Sequence, residues 1–229
     1  MGIKKLKILL ITRCSRPQNL ELMKQSILRS FNNTKFEPVW FIIFDLNRVE
    51  KDEVLEFKEE WIHTKQIKSN IVYACDLLNI ALFDEISNDC IYSYLFDDDN
   101  ILMDNMVSLI PIDKHDKIVV WDMYLSKNLP TKSLKKKLKN LEKGAYGKID
   151  ASQFVLPIKQ LKEVGGYVQS QGTDGKTFDK VAEKCKIHYT KKVGAYYNRL
   201  TNEGHHGTQD SKEEMEDKSR ACHWWKFLK

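Results

Sequence analysis

The chain lacks the features that mark secreted, zinc-binding and membrane-spanning proteins. Its 229 residues include only five cysteines, at wide spacings without a Cys-x-x-Cys pair, which argues against a disulfide framework and a zinc knuckle. The longest uncharged apolar runs, residues 8–12 and 39–44, are far shorter than the roughly 20 residues of a membrane-spanning helix. Residues 1–12 lack the features of a secretory signal, so we expect a cytoplasmic protein.

The composition is that of an ordinary globular protein. Hydrophobic residues make up 42% and charged residues 30%, with ten glycines and five prolines, so disorder is excluded as the main state. The 37 basic and 32 acidic residues give a net charge of +5. This charge suits anionic ligands but is too low for a dedicated nucleic-acid binder, and we expect no nucleic-acid partner. Without a Pro/Ser-rich linker, we expect one domain.

Strand-like and helix-like patterns alternate along the first half of the chain. Apolar runs predict strands at residues 7–12, 39–44, 71–73 and 91–96, and helical spacing predicts helices at 18–30, 49–61 and 76–86. The second half is less regular: it predicts a strand at 118–121, helices at 157–164 and 177–184, and an amphipathic helix or exposed loop at 132–143. The fold class is therefore α/β, with a mostly parallel central sheet flanked by helices.

Three consecutive carboxylates, Asp97, Asp98 and Asp99, directly follow the predicted strand 91–96. Ligands bind beyond the carboxyl ends of parallel strands, and Mg²⁺ and Mn²⁺ prefer oxygen ligands. Alternation along an extended segment places Asp97 and Asp99 on one side, where they could hold a metal, and Asp98 on the other, towards sugar or ribose hydroxyls. The alternative is a solvated loop, or Asp98 and Asp99 capping a helix that begins near residue 101.

This arrangement resembles the GT-A superfamily of nucleotide-sugar glycosyltransferases, whose Asp-x-Asp motif holds a divalent metal against the donor diphosphate. The resemblance covers the order of elements over roughly residues 6–205. It implies a single GT-A-like domain over residues 1–229, with a nucleotide-sugar-binding half at about 1–105 and a less regular acceptor-binding part at about 106–229. It also implies Mn²⁺ or Mg²⁺, a nucleoside-diphosphate sugar donor, with a UDP-sugar favoured, and a glycan or lipid-linked hydroxyl acceptor.

Several residues in the first half are candidates for nucleotide-sugar binding. Thr12, Arg13 and Arg16 follow the first predicted strand at a helix start, where phosphate or base recognition is favoured. Asp45 resembles the superfamily carboxylate that accepts from a nucleobase N–H, and Asn79 resembles a donor-facing polar position. The alternatives are that Ser15 caps the helix while the arginines face solvent, and that Asp45 is an ordinary turn residue.

Candidates in the second half concern the two sugars. Trp121 and Asp122 combine an aromatic face with a carboxylate, which suits an acceptor sugar, although a core Trp is the alternative. Asp150 and Gln153 resemble a segment that lines the donor-sugar pocket of related transferases.

The catalytic candidate is Asp174, which lies between Gly172 and Gly175. An inverting transfer needs one carboxylate to take the proton of the acceptor hydroxyl, and we expect Asp174 to be this base, with Asp179 as the fallback. An Asp/Gly turn or helix cap is the alternative.

His205 and His206 lie in a glycine-flanked stretch where GT-A enzymes often supply a histidine, so they are candidate metal ligands. Residues 222–229 combine aromatic and cationic side chains. Packing against the domain is expected there, with contact at the inner face of the membrane as the alternative.

Together these features predict a metal-dependent glycosyltransferase with an inverting mechanism, in glycan or polysaccharide synthesis. One alternative is a sugar-nucleotide nucleotidyltransferase, which normally needs a glycine-rich loop after the first strand. The other is a non-catalytic protein that binds nucleic acid or carbohydrate.

Overall fold

A computed structural model describes residues 5–68, 75–125, 129–130, 144–147, 149–170 and 172–197. No helix in this part of the chain is both long and apolar enough to cross a bilayer. The predicted strand at 71–73 and the predicted segment at 132–143 lie outside the described residues.

A nine-stranded sheet forms the centre of the fold, in the order β3-β2-β1-β4-β8-β6-β9-β5, with β7 paired to β6. The strands are β1 (Leu6–Cys14), β2 (Phe36–Asp45), β3 (Ile62–Ile67), β4 (Cys90–Leu95), β5 (Ile101–Leu102), β6 (Ile118–Leu125), β7 (Leu129–Pro130), β8 (Phe154–Pro157) and β9 (Ile187–Tyr197). The described α-helices are α1 (Leu20–Phe31), α2 (Cys75–Leu82), α3 (Ile158–Glu163) and α4 (Thr173–Ala182).

Strands β1 to β4 are parallel to one another in the sheet, and the remaining part is mixed. β1 pairs in parallel with β2 and β4, and β2 pairs in parallel with β3. β8 runs antiparallel to β4, with Ser93 opposite Leu156. The carboxyl ends of β1, β2 and β4 and the amino end of β8 therefore meet at one edge, which we call the carboxyl edge of the sheet.

Helices cover both faces of the sheet, because side chains along β1 alternate between two hydrophobic clusters. Ile8 and Leu10 pack with α1 on one face. Leu9 and Ile11 pack with α2, α3 and α4 on the other face. The predicted α/β architecture is confirmed, and the two faces explain why β1 is apolar throughout its centre.

The predicted helix at 49–61 is wrong. Only Lys51–Glu53 forms a turn of 3₁₀-helix, closed by a capping box between Glu50 and Glu53, and no regular element follows it before β3. Phe57 and Trp61 pack their rings against Trp40, at centroid distances of 6.1 and 6.3 Å. The apolar spacing that predicted a helix therefore reflects the packing of these two rings on Trp40.

A buried hydrogen-bond chain ties three strands together at the carboxyl edge. Trp40 Nε1 in β2 donates to Thr12 Oγ1 in β1 at 2.9 Å, and Thr12 Oγ1 donates to Phe96 O at 2.6 Å. Thr12 and Trp40 are both fully buried. The residue that directly precedes Asp97 is thus fixed by its backbone to β1.

We predict that Thr12→Val destabilises the fold by about 1–3 kcal/mol, because it leaves the buried indole N–H of Trp40 without an acceptor while keeping the side-chain volume. Chemical denaturation measures the change. Thr64→Val, at an exposed position of β3, is the matched control and should change stability by less than about 0.5 kcal/mol. Equal effects of the two substitutions would contradict the assignment of this hydrogen-bond chain.

Candidate active site

The three carboxylates after β4 point in different directions within one tight turn. Asn100 N donates to Asp97 O at 3.1 Å, which closes the turn between β4 and β5. Asp97 is solvent-exposed and Asp99 is partly buried, whereas Asp98 is only 4% exposed. The three residues therefore have different environments although they are adjacent in sequence.

Asp98 connects the loop after β4 to the loop after β1. Its Oδ2 accepts from Ser15 N at 2.5 Å and from Ser15 Oγ at 2.8 Å, and its Oδ1 accepts from Arg16 Nη1. Asn19 Nδ2 donates to the backbone oxygen of Asp98 at 2.8 Å. A buried carboxylate needs such donors, so Asp98 makes contacts within the protein. The contact of Asp98 with sugar or ribose hydroxyls stays a prediction, and these hydrogen bonds give no support for it.

Arg13 lies at the end of β1, near the carboxylates of Asp97 and Asp45. Burial lowers the pKa of its guanidinium, and nearby Arg48 lowers it further, while Asp97 and Asp45 oppose the shift. Asp45 is 6% exposed and accepts from Asn47 N at 3.1 Å. A hydrogen bond to the backbone two residues on is typical of an Asp in a turn, which is the alternative to nucleobase binding.

A second acidic pair approaches the same edge from the far side of β4. Asp150 precedes β8 and caps a turn of 3₁₀-helix, Ala151–Gln153, through its bond from Ser152 N at 2.9 Å. Asp174 lies in the first turn of α4, and its Oδ2 accepts from Ala151 N at 3.3 Å. Because β8 is antiparallel to β4, this turn adjoins the loop that carries Asp97.

The carboxylates of Asp97, Asp99, Asp150 and Asp174 form one group, which we call the acidic cluster. Although Asp97 is partly accessible to solvent, burial by the surrounding protein raises its pKa well above the usual range, with further increases from Asp150, Asp99 and Asp174. Burial likewise raises the pKa of Asp150, although its bonds from Ser152 oppose the shift. The cluster therefore concentrates negative charge in a poorly solvated place.

Two members of the acidic cluster titrate near neutral pH. Burial raises the pKa of Asp99 to about 6, although Arg16 opposes the rise. Burial and the charge of Asp150 raise the pKa of Asp174 to about 7, against the bond from Ala151 N. A carboxyl with a pKa near 7 can act as a proton acceptor at neutral pH.

The acidic cluster fits a hard divalent cation that is held partly by a ligand. Asp97 and Asp99 offer carboxylate oxygens, which are the donors that Mg²⁺ and Mn²⁺ prefer. Across the described residues, no three His, Cys, Asp or Glu side chains converge to form a complete metal site. Mg²⁺ in proteins commonly binds one or two carboxylates together with substrate phosphates. His205 and His206 lie outside the described residues.

Three other predicted site residues have side chains that form hydrogen bonds within the protein. Thr12 belongs to the buried chain with Trp40, so its side chain does not face a nucleotide. Asn79 uses both ends of its amide, with Nδ2 donating to Tyr167 O at 3.0 Å and Oδ1 accepting from Tyr167 N at 2.8 Å. Gln153 is fully buried and accepts from Asp150 N at 3.1 Å. These contacts give the three side chains structural roles, and their donor-binding roles stay predictions.

Trp121 and Asp122 also differ from the expectation. Both lie inside β6, where Trp121 is fully buried and Asp122 is 3% exposed. A buried ring offers no face to a sugar, so the structure gives Trp121 a packing role. Its Nε1 donates to Ser152 O at 2.8 Å, which holds the turn that carries Asp150. Asp122 Oδ1 accepts from Tyr189 OH at 2.5 Å.

The sequence did not reveal two contacts between residues 144–147 and the segment around α4. Asp179, the fallback base, accepts from Ala145 N at 2.6 Å. Tyr146, 43% exposed, packs against Gly172, where a Cβ atom would lie 2.2 Å from its ring. The glycines around Asp174 were visible in the sequence, but their contact with Tyr146 depends on chain segments far apart.

Comparison with known proteins identifies the fold. No protein-family model matches the chain, and no curated protein matches it significantly. S. aureus TarS 1–349, in complex with UDP-GlcNAc, matches with a TM-score of 0.61 and 14% identity, over 84% of this chain and 58% of that one. Mannosyltransferase PcManGT from Pyrobaculum calidifontis, in complex with GDP-Man and Mn²⁺, matches with a TM-score of 0.56 and 12% identity, over 86% of this chain and 58% of that one.

These likenesses confirm that the chain has a GT-A-like fold. The described sheet and helices span a little under three fifths of the length of either matched protein. At such low identity the likeness establishes the fold alone.

We predict that Asp174→Asn stabilises the protein more at pH 8 than at pH 5. A carboxyl whose pKa is raised on folding stabilises the fold below its unfolded pKa, about 3.9, and this contribution is lost as the pH rises through the folded pKa, about 7 for Asp174. At pH 8 the substitution removes a charge that is buried and repelled by Asp150. We expect the free energy of unfolding to rise by about 1–2 kcal/mol, which corresponds to a Tm increase of roughly 2–8 °C.

Thermal unfolding at both pH values measures this difference. Asp113→Asn, at an exposed position away from the acidic cluster, should leave Tm nearly unchanged at either pH. An equal shift of Tm by Asp174→Asn at pH 5 and pH 8 would rule out charge repulsion as its cause.

Proposed function

We propose that the chain is a glycosyltransferase that moves a sugar from a nucleoside-diphosphate sugar to a hydroxyl acceptor, with Mn²⁺ or Mg²⁺ and inversion at the anomeric carbon. The observation that carries this proposal is the mutual charge repulsion of four carboxylates, those of Asp97, Asp99, Asp150 and Asp174, near one edge of a GT-A-like sheet. The neighbours supply further support, since TarS was solved with UDP-GlcNAc and PcManGT with GDP-Man and Mn²⁺.

We assign donor binding and acceptor binding to the two sides of this edge. Residues about 1–105, with β1, β2 and β4, would form the nucleotide-sugar-binding half, and residues about 106–229 would bind the acceptor within the same single domain. Arg13 and Arg16 lie on the donor side, beside the loop of Asp97. Guanidinium groups suit recognition of a diphosphate.

Asp97 and Asp99 are the residues that we propose to hold the metal, together with donor phosphate oxygens. The cation would stabilise the negative charge that develops on the departing nucleoside diphosphate. It would also offset the burial and the smaller charge repulsion that raise the pKa of both carboxyls. His205 and His206 remain predicted additional ligands.

Asp174 is the proposed general base. Ala151 N holds its Oδ2, which orients the carboxylate at the first turn of α4. The acceptor oxygen would form a new bond to the anomeric carbon as the bond from that carbon to the diphosphate oxygen breaks, and the acceptor proton would pass to Asp174. Its pKa of about 7 is well matched to accepting a proton near neutral pH.

The acceptor side also offers an aromatic surface. Tyr146 is exposed next to the first turn of α4, and Lys176 Nζ lies 5.2 Å from the centre of its ring. We propose that a glycan or lipid-linked acceptor approaches Asp174 from this side, in place of the buried Trp121.

We predict that Asp97→Ala abolishes metal-dependent turnover, lowering kcat/KM at least 100-fold, because an oriented charge at the leaving group contributes several kcal/mol to the transition state. The assay follows release of nucleotide from UDP-GlcNAc and GDP-Man with Mn²⁺, with and without an added acceptor. Asp113→Asn is the control and should keep normal turnover. Normal metal-dependent turnover by Asp97→Ala would show that the metal lies elsewhere.

We predict that Asp174→Asn lowers transfer by about 10²–10⁴-fold, since it removes the proton acceptor, while leaving nucleotide-sugar binding nearly intact. Thermal shift with each nucleotide sugar measures binding, and product analysis measures transfer. The wild-type rate should rise with pH through the pKa of the base. Near-normal transfer by Asp174→Asn would require another base, and pyrophosphate release from a nucleoside triphosphate would favour a nucleotidyltransferase.

A further inference from the structure

Arg16 places a single positive charge between two carboxylates of the Asp97–Asp99 turn. Its Nη1 contacts Asp98 Oδ1 and also lies 3.3 Å from Asp99 Oδ2. Within the described ranges, no other Lys or Arg forms an ion pair with Asp97, Asp98 or Asp99. Arg13 acts on Asp97 and Asp98 only through its charge, so among the described residues Arg16 is the cation that pairs directly with the turn.

The two contacts of Arg16 differ in how firmly they are held. Asp98 has two further donors, Ser15 N and Ser15 Oγ, so its position does not depend on Asp99. The distance of 3.3 Å from Arg16 to Asp99 exceeds the 2.7–2.9 Å or so of a strong charge-assisted hydrogen bond. The contact with Asp99 is thus the one that a competing cation could replace at low cost.

A divalent cation at Asp99 would meet the charge of Arg16 at close range. The side chains of Arg16 and Asp99 are only 21% and 13% exposed, so water screens this repulsion less than at an open surface. A nucleoside diphosphate beside Arg16 would change the balance, because its negative charge attracts both the guanidinium and the metal. The affinity for the metal should then be higher when the nucleoside diphosphate is bound.

We propose that Arg16 is a positioning residue that opposes metal binding to the free protein and makes the metal and the nucleoside diphosphate bind cooperatively. This inference rests on the proposed function, because it takes Asp97 and Asp99 as the metal ligands. By linkage, the factor by which the nucleotide strengthens metal binding equals the factor by which the metal strengthens nucleotide binding. Arg16 would contribute to this factor without contacting the transferred sugar.

The test is a titration of Mn²⁺, followed by the electron paramagnetic resonance signal of the free ion, into wild type and Arg16→Gln. Each titration is run without nucleotide and with saturating UDP or GDP. We expect Arg16→Gln to bind Mn²⁺ alone about 3- to 10-fold more tightly than wild type, and the strengthening by nucleotide to fall by at least the same factor. If the substitution only disrupts the local structure, Mn²⁺ binding should become weaker instead.

Arg29→Gln is the matched control, because it removes the same charge from an exposed ion pair with Asp104. Its Mn²⁺ affinity should stay within about twofold of wild type. If Arg16→Gln does not fold, Arg16→Met replaces it, since Met also removes the positive charge while keeping an unbranched side chain. We expect tighter Mn²⁺ binding than wild type there as well.

The outcomes separate this inference from the proposed function. Unchanged or weaker Mn²⁺ affinity in the Arg16 variant, with normal nucleotide-assisted binding in wild type, overturns the role of Arg16 alone. Wild-type Mn²⁺ binding by Asp97→Ala shows that the metal site lies elsewhere and overturns both proposals. The same holds if neither wild type nor the Arg16 variant binds Mn²⁺ in the presence of UDP or GDP.

Discussion

The hydrogen bonds to the buried carboxylate of Asp98 are the interaction on which the site depends. They join the loop after β1 to the loop after β4, through Ser15 and Arg16. A carboxylate this deeply buried is costly without donors, and removal of one partner of such a group typically costs about 3–5 kcal/mol. While Asp98 is fixed inward, its neighbour Asp97 remains accessible to solvent.

Repulsion among carboxylates is the second constraint, and it connects stability to function. The loop of Asp97 and the first turn of α4 would separate if charge alone decided their positions, but the core holds them together. Trp121 and Tyr94 contribute directly, because both donate to Ser152 O in the turn that follows Asp150. The apolar interior thus maintains an arrangement that is unfavourable by itself, as is common at functional sites.

Three strands of the first half were predictable because they are continuous apolar runs, whereas β3, with its mostly exposed side chains, was not predicted. β1, β2 and β4 bury both faces, so their sequences differ from those of the helices between them. The helix predicted after β2 is absent, since Phe57 and Trp61 have helical spacing but pack on Trp40 without forming a helix. β8 and β9 were not predicted, because their pairing with β4 and β6 joins residues distant in sequence, and local periodicity carries no information about such pairing.

The sequence by itself determined the α/β class, the position of the acidic turn at the end of a strand, and Asp174 as a carboxylate flanked by glycines. These features follow from local patterns of apolar, charged and glycine residues. Only the tertiary structure decided which carboxylates meet, that Asp98 turns inward to Ser15, and that Trp121 is buried. The reason is that burial and like-charge proximity depend on the antiparallel insertion of β8 beside β4, which brings distant parts of the chain to one edge.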